Sequence, residues 1–242
     1  MDYIKSEWEG FERLDFEFKG RKAILIVPNK PTKEKKWLFK TEYFGAFPSF
    51  ELEMLKRGYY VAHIQNKTRW CLPEDTDIKA EFCELLSAKF GLNEKCMPVG
   101  MSCGGMQAVY FAAKYPQYVK AMYLDAPVLN LLSCPGDVGK ANGGMYEEFH
   151  NATGMDYSFL INYRNHPIDN VDALIRARIP IFLICGDSDT VVPYCENGMH
   201  LANAYKKAGA DLTEILKEGC DHHPHGLEDN TPLIEFALSN YY

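Results

Sequence analysis

A chain of 242 residues, 47% of them hydrophobic, is long enough to bury the core of one α/β domain spanning 1–242, and no linker-like stretch divides it. The formal charge of −7 and the pI near 5.5 speak against nucleic acid or an anionic membrane surface as a partner. No apolar stretch approaches the roughly 18 residues of a bilayer span, the amino terminus has no basic-then-apolar leader, and eight cysteines without a CxxC pair read as reduced packing thiols, so the expected location is cytoplasmic.

In chain order, residues 13–19 alternate Leu14, Phe16 and Phe18 with charged residues and turn at Gly20-Arg21 into 22–27, which predicts a hairpin at a sheet edge. A third strand is expected at 36–40, a helix at 49–57 closed by Gly58, and a fourth strand at 59–65. The spacing of Ile78, Phe82, Leu85, Leu86 and Phe90 predicts an amphipathic helix over 75–90. A short strand at 95–99 leads to Gly100-Met101-Ser102-Cys103-Gly104. Met106, Val109, Tyr110 and Ala113 then recur at helical steps until Tyr115-Pro116. Strands at 119–124 and 179–185, a helix at 196–208, a strand at 212–216 and a terminal helix near 232–238 complete the order. Alternating strands and helices imply a mostly parallel sheet covered on both faces. Residues 127–178, mixing glycines, polar residues and aromatics without a strong period, read as a lid or cap insertion.

The chemistry begins at residue 102. In a strand, serine, helix context, a GxSxG sequence is a nucleophile elbow: the serine occupies a strained turn, and the flanking glycines leave room for the backbone. The helix that follows points its unpaired N–H groups, that of Cys103 first, toward the place where an oxyanion forms. A serine hydroxyl needs a base, and the base an orienting acid. Gly186-Asp187-Ser188-Asp189 follows one predicted strand and Asp221-His222-His223-Pro224-His225 follows the last. Ser102, Asp189 and His222 therefore stand in the order Ser, Asp, His. Asp187 and Asp189 also suit turn-capping, Asp125 competes for the acid role, and the three histidines admit a metal cluster, although no carboxylate or cysteine spacing completes a known site.

With Gly-Met-Ser-Cys-Gly-Gly at 100–105, Gly-Asp-Ser-Asp-Thr-Val-Val-Pro at 186–193 and Gly-Cys-Asp-His-His at 219–223, the chain resembles the α/β-hydrolase superfamily. It is most similar to the serine-esterase and prolyl-oligopeptidase-like branch, acetyl-xylan esterases included. The resemblance implies the α/β-hydrolase fold, with Ser102 as nucleophile, Asp189 as acid, His222 as base, and no metal or other cofactor. Where such proteins carry His-Gly or a glycine run, this chain reads Lys40-Thr41-Glu42-Tyr43-Phe44-Gly45, so the second oxyanion donor is assigned to the Tyr43 N–H, ahead of Glu42. Glu42, Arg69 and Trp70 are the candidate substrate-binding residues.

The expected activity is hydrolysis of a small acyl ester through an acyl-enzyme. The aromatics Tyr146, Phe149, Tyr157, Phe159 and Tyr163, interleaved with amide and hydroxyl side chains, suggest a carbohydrate-like alcohol. The alternatives are a small peptidase or amidase, with Glu42 as a terminus anchor, and a catalytically silent binding protein of the same fold. The chain is also too short to include the propeller that restricts oligopeptidases to peptides.

Overall fold

Apolar residues at successive positions of the central strands predict a sheet buried on both faces, and that is how this chain folds. The computed structural model describes residues 2–241. The strands are β1 (Ile4–Trp8), β2 (Phe11–Phe18), β3 (Arg21–Val27), β4 (Trp37–Lys40), β5 (Tyr60–Ile64), β6 (Met97–Met101), β7 (Met122–Asp125), β8 (Ile181–Gly186) and β9 (Leu212–Lys217). They form one sheet in the order β1-β2-β3-β5-β4-β6-β7-β8-β9. From β4 to β9 the strands run parallel, while β1, β2 and β3 join by antiparallel pairing.

The helices are α1 (Ser49–Lys56), α2 (Pro73–Phe90), α3 (Cys103–Lys114), α4 (Tyr146–Thr153), α5 (Tyr157–Asn162), α6 (Val171–Arg176), α7 (Gly198–Ala208) and α8 (Thr231–Asn240). Neighbouring strand residues serve opposite faces. Trp37 and Phe39 pack with Phe82 and Leu86 of α2, Phe111 of α3, Leu174 of α6 and Leu201 of α7. Leu38 between them packs with Phe50 and Met54 of α1 and with Leu233 and Phe236 of α8. A third cluster, in which Trp70, Cys103 and Met106 meet Leu131, Phe149 and Leu160, joins the start of α3 to the 127–178 segment.

Three features differ from the sequence reading. The hairpin of β2 and β3 is not at the edge, because β1 pairs outside it: Glu9 (φ 51°) and Gly10 (φ 81°) are both left-handed, the geometry of a two-residue hairpin turn. Exposed residues make up most of β1, so it carries no apolar alternation to reveal it. Helix α2 begins at Pro73, whose fixed φ and missing N–H suit the first helical position, and it buries Asp75 and Lys79 beside the expected apolar face. The 127–178 segment holds three short helices, and its last, α6, places Val171 and Leu174 in the sheet-covering core.

The buried His63 of β5 ties this core to pH. Its ring contacts the Lys40 carbonyl through Nδ1 at 2.8 Å, while burial holds its pKa down, from 6.5 to about 4. Between those values the unfolded chain takes up the proton first, so stability is fully present above pH 6.5 and falls as the pH drops toward 4. The expected loss is about 3 kcal/mol. Urea unfolding at pH 7 and pH 4.5 should show it, and His63→Gln, which keeps a donor for the carbonyl and does not titrate, should flatten the slope. An unchanged slope in that variant would assign the pH dependence elsewhere.

Candidate active site

Parallel strands deliver their carboxyl ends to one edge of the sheet, and each candidate residue lies just past such an end. Ser102 follows β6 with φ 52° and ψ −120°, a sparsely populated conformation for a residue with a side chain. Its surroundings fix it there. The Ser102 N–H donates to the Asp125 carbonyl at 2.9 Å, and its own carbonyl accepts from Gly105 at 2.9 Å and Val128 at 3.0 Å. A Cβ on Gly100 would lie 2.5 Å from the Gly104 carbonyl oxygen, as the motif predicts. Gly104 itself is less restricted, with nearest contacts of 3.2 and 3.3 Å; the tighter glycine is Gly105, whose added Cβ would lie 2.4 Å from Pro127.

Asp189, after β8, uses its two oxygens differently. Oδ1 accepts from the N–H groups of Val191 at 2.9 Å and Val192 at 2.7 Å, closing the turn, and Oδ2 lies 2.8 Å from His222 Nδ1. The capping and orienting readings thus describe one side chain. An ionised carboxylate only accepts, so Nδ1 carries the hydrogen and Nε2 presents a lone pair. Ser102 Oγ lies 3.0 Å from that Nε2 and donates to it. All three side chains are buried. The acid and base loops are also locked together: Asp187 accepts from the Gly219 N–H at 2.8 Å, Asp221 from the N–H groups of Thr190 and His222, and a Cβ on Gly186 would lie 2.2 Å from the Cys220 carbonyl oxygen.

Asp125, at the end of β7, stands elsewhere. Its carboxylate accepts from His225 Nδ1 at 2.8 Å, the Tyr123 hydroxyl at 2.7 Å and the Gly226 N–H at 2.7 Å. The structure therefore contains a second buried Asp–His pair beside the first, with the His222 and His225 rings 4.9 Å apart at 79°. His223 is exposed and stacks on Phe47 at 5.5 Å.

Cys103 opens α3, so its N–H has no partner within the helix, while burial pushes its thiol up to about 11 and keeps it a neutral packing group. Tyr43 has φ 53°, and its N–H has only a 3.4 Å contact with Glu42 Oε1, longer than an ordinary bond. Glu42 is turned toward Asn66, whose Nδ2 donates to its Oε2 at 2.8 Å, and Asn66 in turn accepts from the buried Lys79. Burial lowers the Lys79 pKa. This polar network behind Glu42, completed by Gln107 at 2.7 Å from Lys79, was missed by sequence reasoning; a lysine next to Ile78 on an apolar helix face was its one signal.

Around Ser102 lies a cavity of about 340 Å³, lined by Tyr43, Phe47, Arg69, Met145, Val191 and the three histidines among others. Arg69 reaches it while pairing with Glu148 of α4. Trp70 does not: it is buried, meets Phe149 edge-on, and lines a separate cavity of about 370 Å³ that lacks all three triad candidates. The aromatics of the insertion also stay away from Ser102. Tyr146 stacks on Tyr157 at 3.9 Å, Phe159 packs on Tyr163, and none of them lines its cavity. Phe47, Met145 and Val191 were not expected there; loops remote in sequence bring them together.

Comparisons with known proteins follow the same outline. The family model described as "Prolyl oligopeptidase family" matches residues 63–237. No curated protein matches the sequence. Among solved structures, the chain is similar to Pyrococcus horikoshii acylaminoacyl peptidase (TM-score 0.70, 17% identity, 95% of this chain and 42% of that one). It is likewise similar to Porphyromonas gingivalis dipeptidyl peptidase 4 (TM-score 0.67, 14% identity, 97% of this chain and 35% of that one). A third is the S-formylglutathione hydrolase of Agrobacterium tumefaciens (TM-score 0.63, 16% identity, 92% of this chain and 93% of that one). The chain thus spans less than half the length of these two peptidases. Among the described residues, no helix is long and apolar enough to cross a membrane. On the family match, which covers well over half of its residues, the chain belongs to the prolyl oligopeptidase family, serine hydrolases of the α/β-hydrolase superfamily.

Proposed function

We propose that the protein hydrolyses small acyl esters through a covalent intermediate on Ser102. The observation that carries this reading is the continuous hydrogen-bonded line Ser102, His222, Asp189 at 3.0 and 2.8 Å, opening into a cavity of about 340 Å³. His222 Nε2 takes the serine proton as Oγ attacks the acyl carbon, and the oxyanion draws on the N–H groups of Cys103 and Tyr43. The protonated His222, held by Asp189, gives its proton to the departing alcohol. Water then enters, gives a proton to His222 as its oxygen attacks the acyl carbon, and the bond to Oγ breaks as His222 returns that proton to Ser102, which releases the acid.

The small volume and apolar side chains such as Met101, Met145 and Val191 support a short acyl group. Met145 comes from the 127–178 segment, which favours reading that segment as a cap. Eight unpaired cysteines favour a reducing, cytoplasmic setting. The second reading is a small peptidase or amidase. Arg69 at the cavity and Glu42 behind it favour that reading, since charged side chains suit a peptide's carbonyls and amino terminus, and peptidases are among the proteins of similar fold.

The deciding experiment compares acetyl, butyryl and decanoyl esters of one chromogenic alcohol with an acetylated oligosaccharide and an aminoacyl amide. The proposal expects kcat/KM for acetyl to exceed that for decanoyl by about tenfold or more, a difference within what a pocket earns from a few methylenes. Preference for decanoyl overturns the small-acyl reading; preference for the amide promotes the peptidase.

A further inference from the structure

We infer that His222, His223 and His225 bind one zinc-class divalent cation, and that the cation shuts the site by capturing the His222 lone pair. One ring nitrogen from each histidine can be taken so that the three lie within 4.8 Å of one another, and the centroids of each pair of rings are 4.9 Å apart. Two of the three are already arranged as zinc-ligating histidines usually are: Asp189 accepts the Nδ1–H of His222 and Asp125 that of His225, so both rings present Nε2. His223 is exposed, with Phe47 stacked on it, and among the described residues no carboxylate holds its ring as Asp189 and Asp125 hold the other two. Nitrogens bound tetrahedrally to zinc at about 2.05 Å are about 3.3 Å apart, so the cluster must contract by about 1.5 Å or less. Three neutral imidazoles select zinc, copper or nickel over magnesium or calcium.

The consequence follows from the lone pair. The His222 Nε2 that accepts the Ser102 proton is the same atom a cation would take, and one electron pair cannot serve both. The cation is therefore an inhibitor of hydrolysis, a step that rests on the proposed role of His222; the binding itself does not. Removal of metal should leave turnover intact or raise it, whereas added zinc should abolish it.

Titration of the untagged full chain with CoCl2, read by the visible absorption of tetrahedral cobalt, measures binding without reference to activity. The expected result is one cobalt per chain, displaced by ZnCl2 and unaffected by MgCl2, with His223→Ala weakening binding at least tenfold while the circular dichroism spectrum is retained. Zinc should inhibit turnover reversibly on chelation, and His223→Ala should resist it. Absence of saturable binding, or binding undiminished in folded His223→Ala, overturns the site. Cobalt bound by a chain that shows no hydrolase activity supports the site and overturns the reading on which inhibition depends.

Discussion

Ser102→Ala is expected to lower kcat by on the order of 10⁶ while leaving the fold unchanged, because nucleophile and base act as one unit. The effect has a local cause. Ser102 Oγ gives its hydrogen to His222 Nε2, and an alanine leaves a base with nothing to activate. The backbone contacts that hold residue 102 at φ 52° involve its N–H and carbonyl, which the substitution retains. Labelling by a fluorophosphonate probe, lost in the variant together with ester turnover, is the check. Turnover that survives in the variant would end the serine mechanism, and with it the assignment of every other role at this site.

What could be read from the sequence follows how local each signal is. The elbow was legible because its strand, serine and helix are contiguous and Gly100 is required by sterics within a few residues, where a Cβ would meet the Gly104 carbonyl. The order of Ser102, Asp189 and His222 was legible because each stands after a predicted strand, apolar and buried for the first two and mixed for the last. Pairings across the sheet were not. Asp125 and His225 are separated by 100 residues, and no spacing rule connects a carboxylate after one strand to a histidine in the last loop. Strand β1 escaped because its partner supplies the order that its exposed side chains lack. The insertion was legible only in part: Phe149, Tyr163 and Asn165 do line a cavity, but it is the one beside Trp70 and not the one at Ser102, while Tyr146 and Tyr157 stack on each other. Charge placement was equally opaque: Glu148 lies 79 residues from the Arg69 it pairs with.

Asp189→Asn should reduce kcat about 10⁴-fold, far more than Asp125→Asn. The asymmetry lies in what each carboxylate holds. The asparagine oxygen at 189 can still accept from Val191 and Val192, so the turn survives, but its amide then faces His222 Nδ1 where a carboxylate oxygen stood. A donor in that place favours the tautomer with hydrogen on Nε2, which points a hydrogen at Ser102 and leaves no acceptor for its proton. Asp125→Asn disturbs His225, Tyr123 and Gly226 instead, contacts that position the last loop without touching the serine. Its expected cost is mainly stability, about 1–3 kcal/mol for a buried group left imperfectly paired. The two variants should separate cleanly when kcat and urea midpoints are measured side by side: catalysis lost in one, stability in the other. Were folded Asp125→Asn the catalytically poorer enzyme, His225 would displace His222 as the base, and the proton would have to reach it from Ser102 by a route the present hydrogen bonds do not supply.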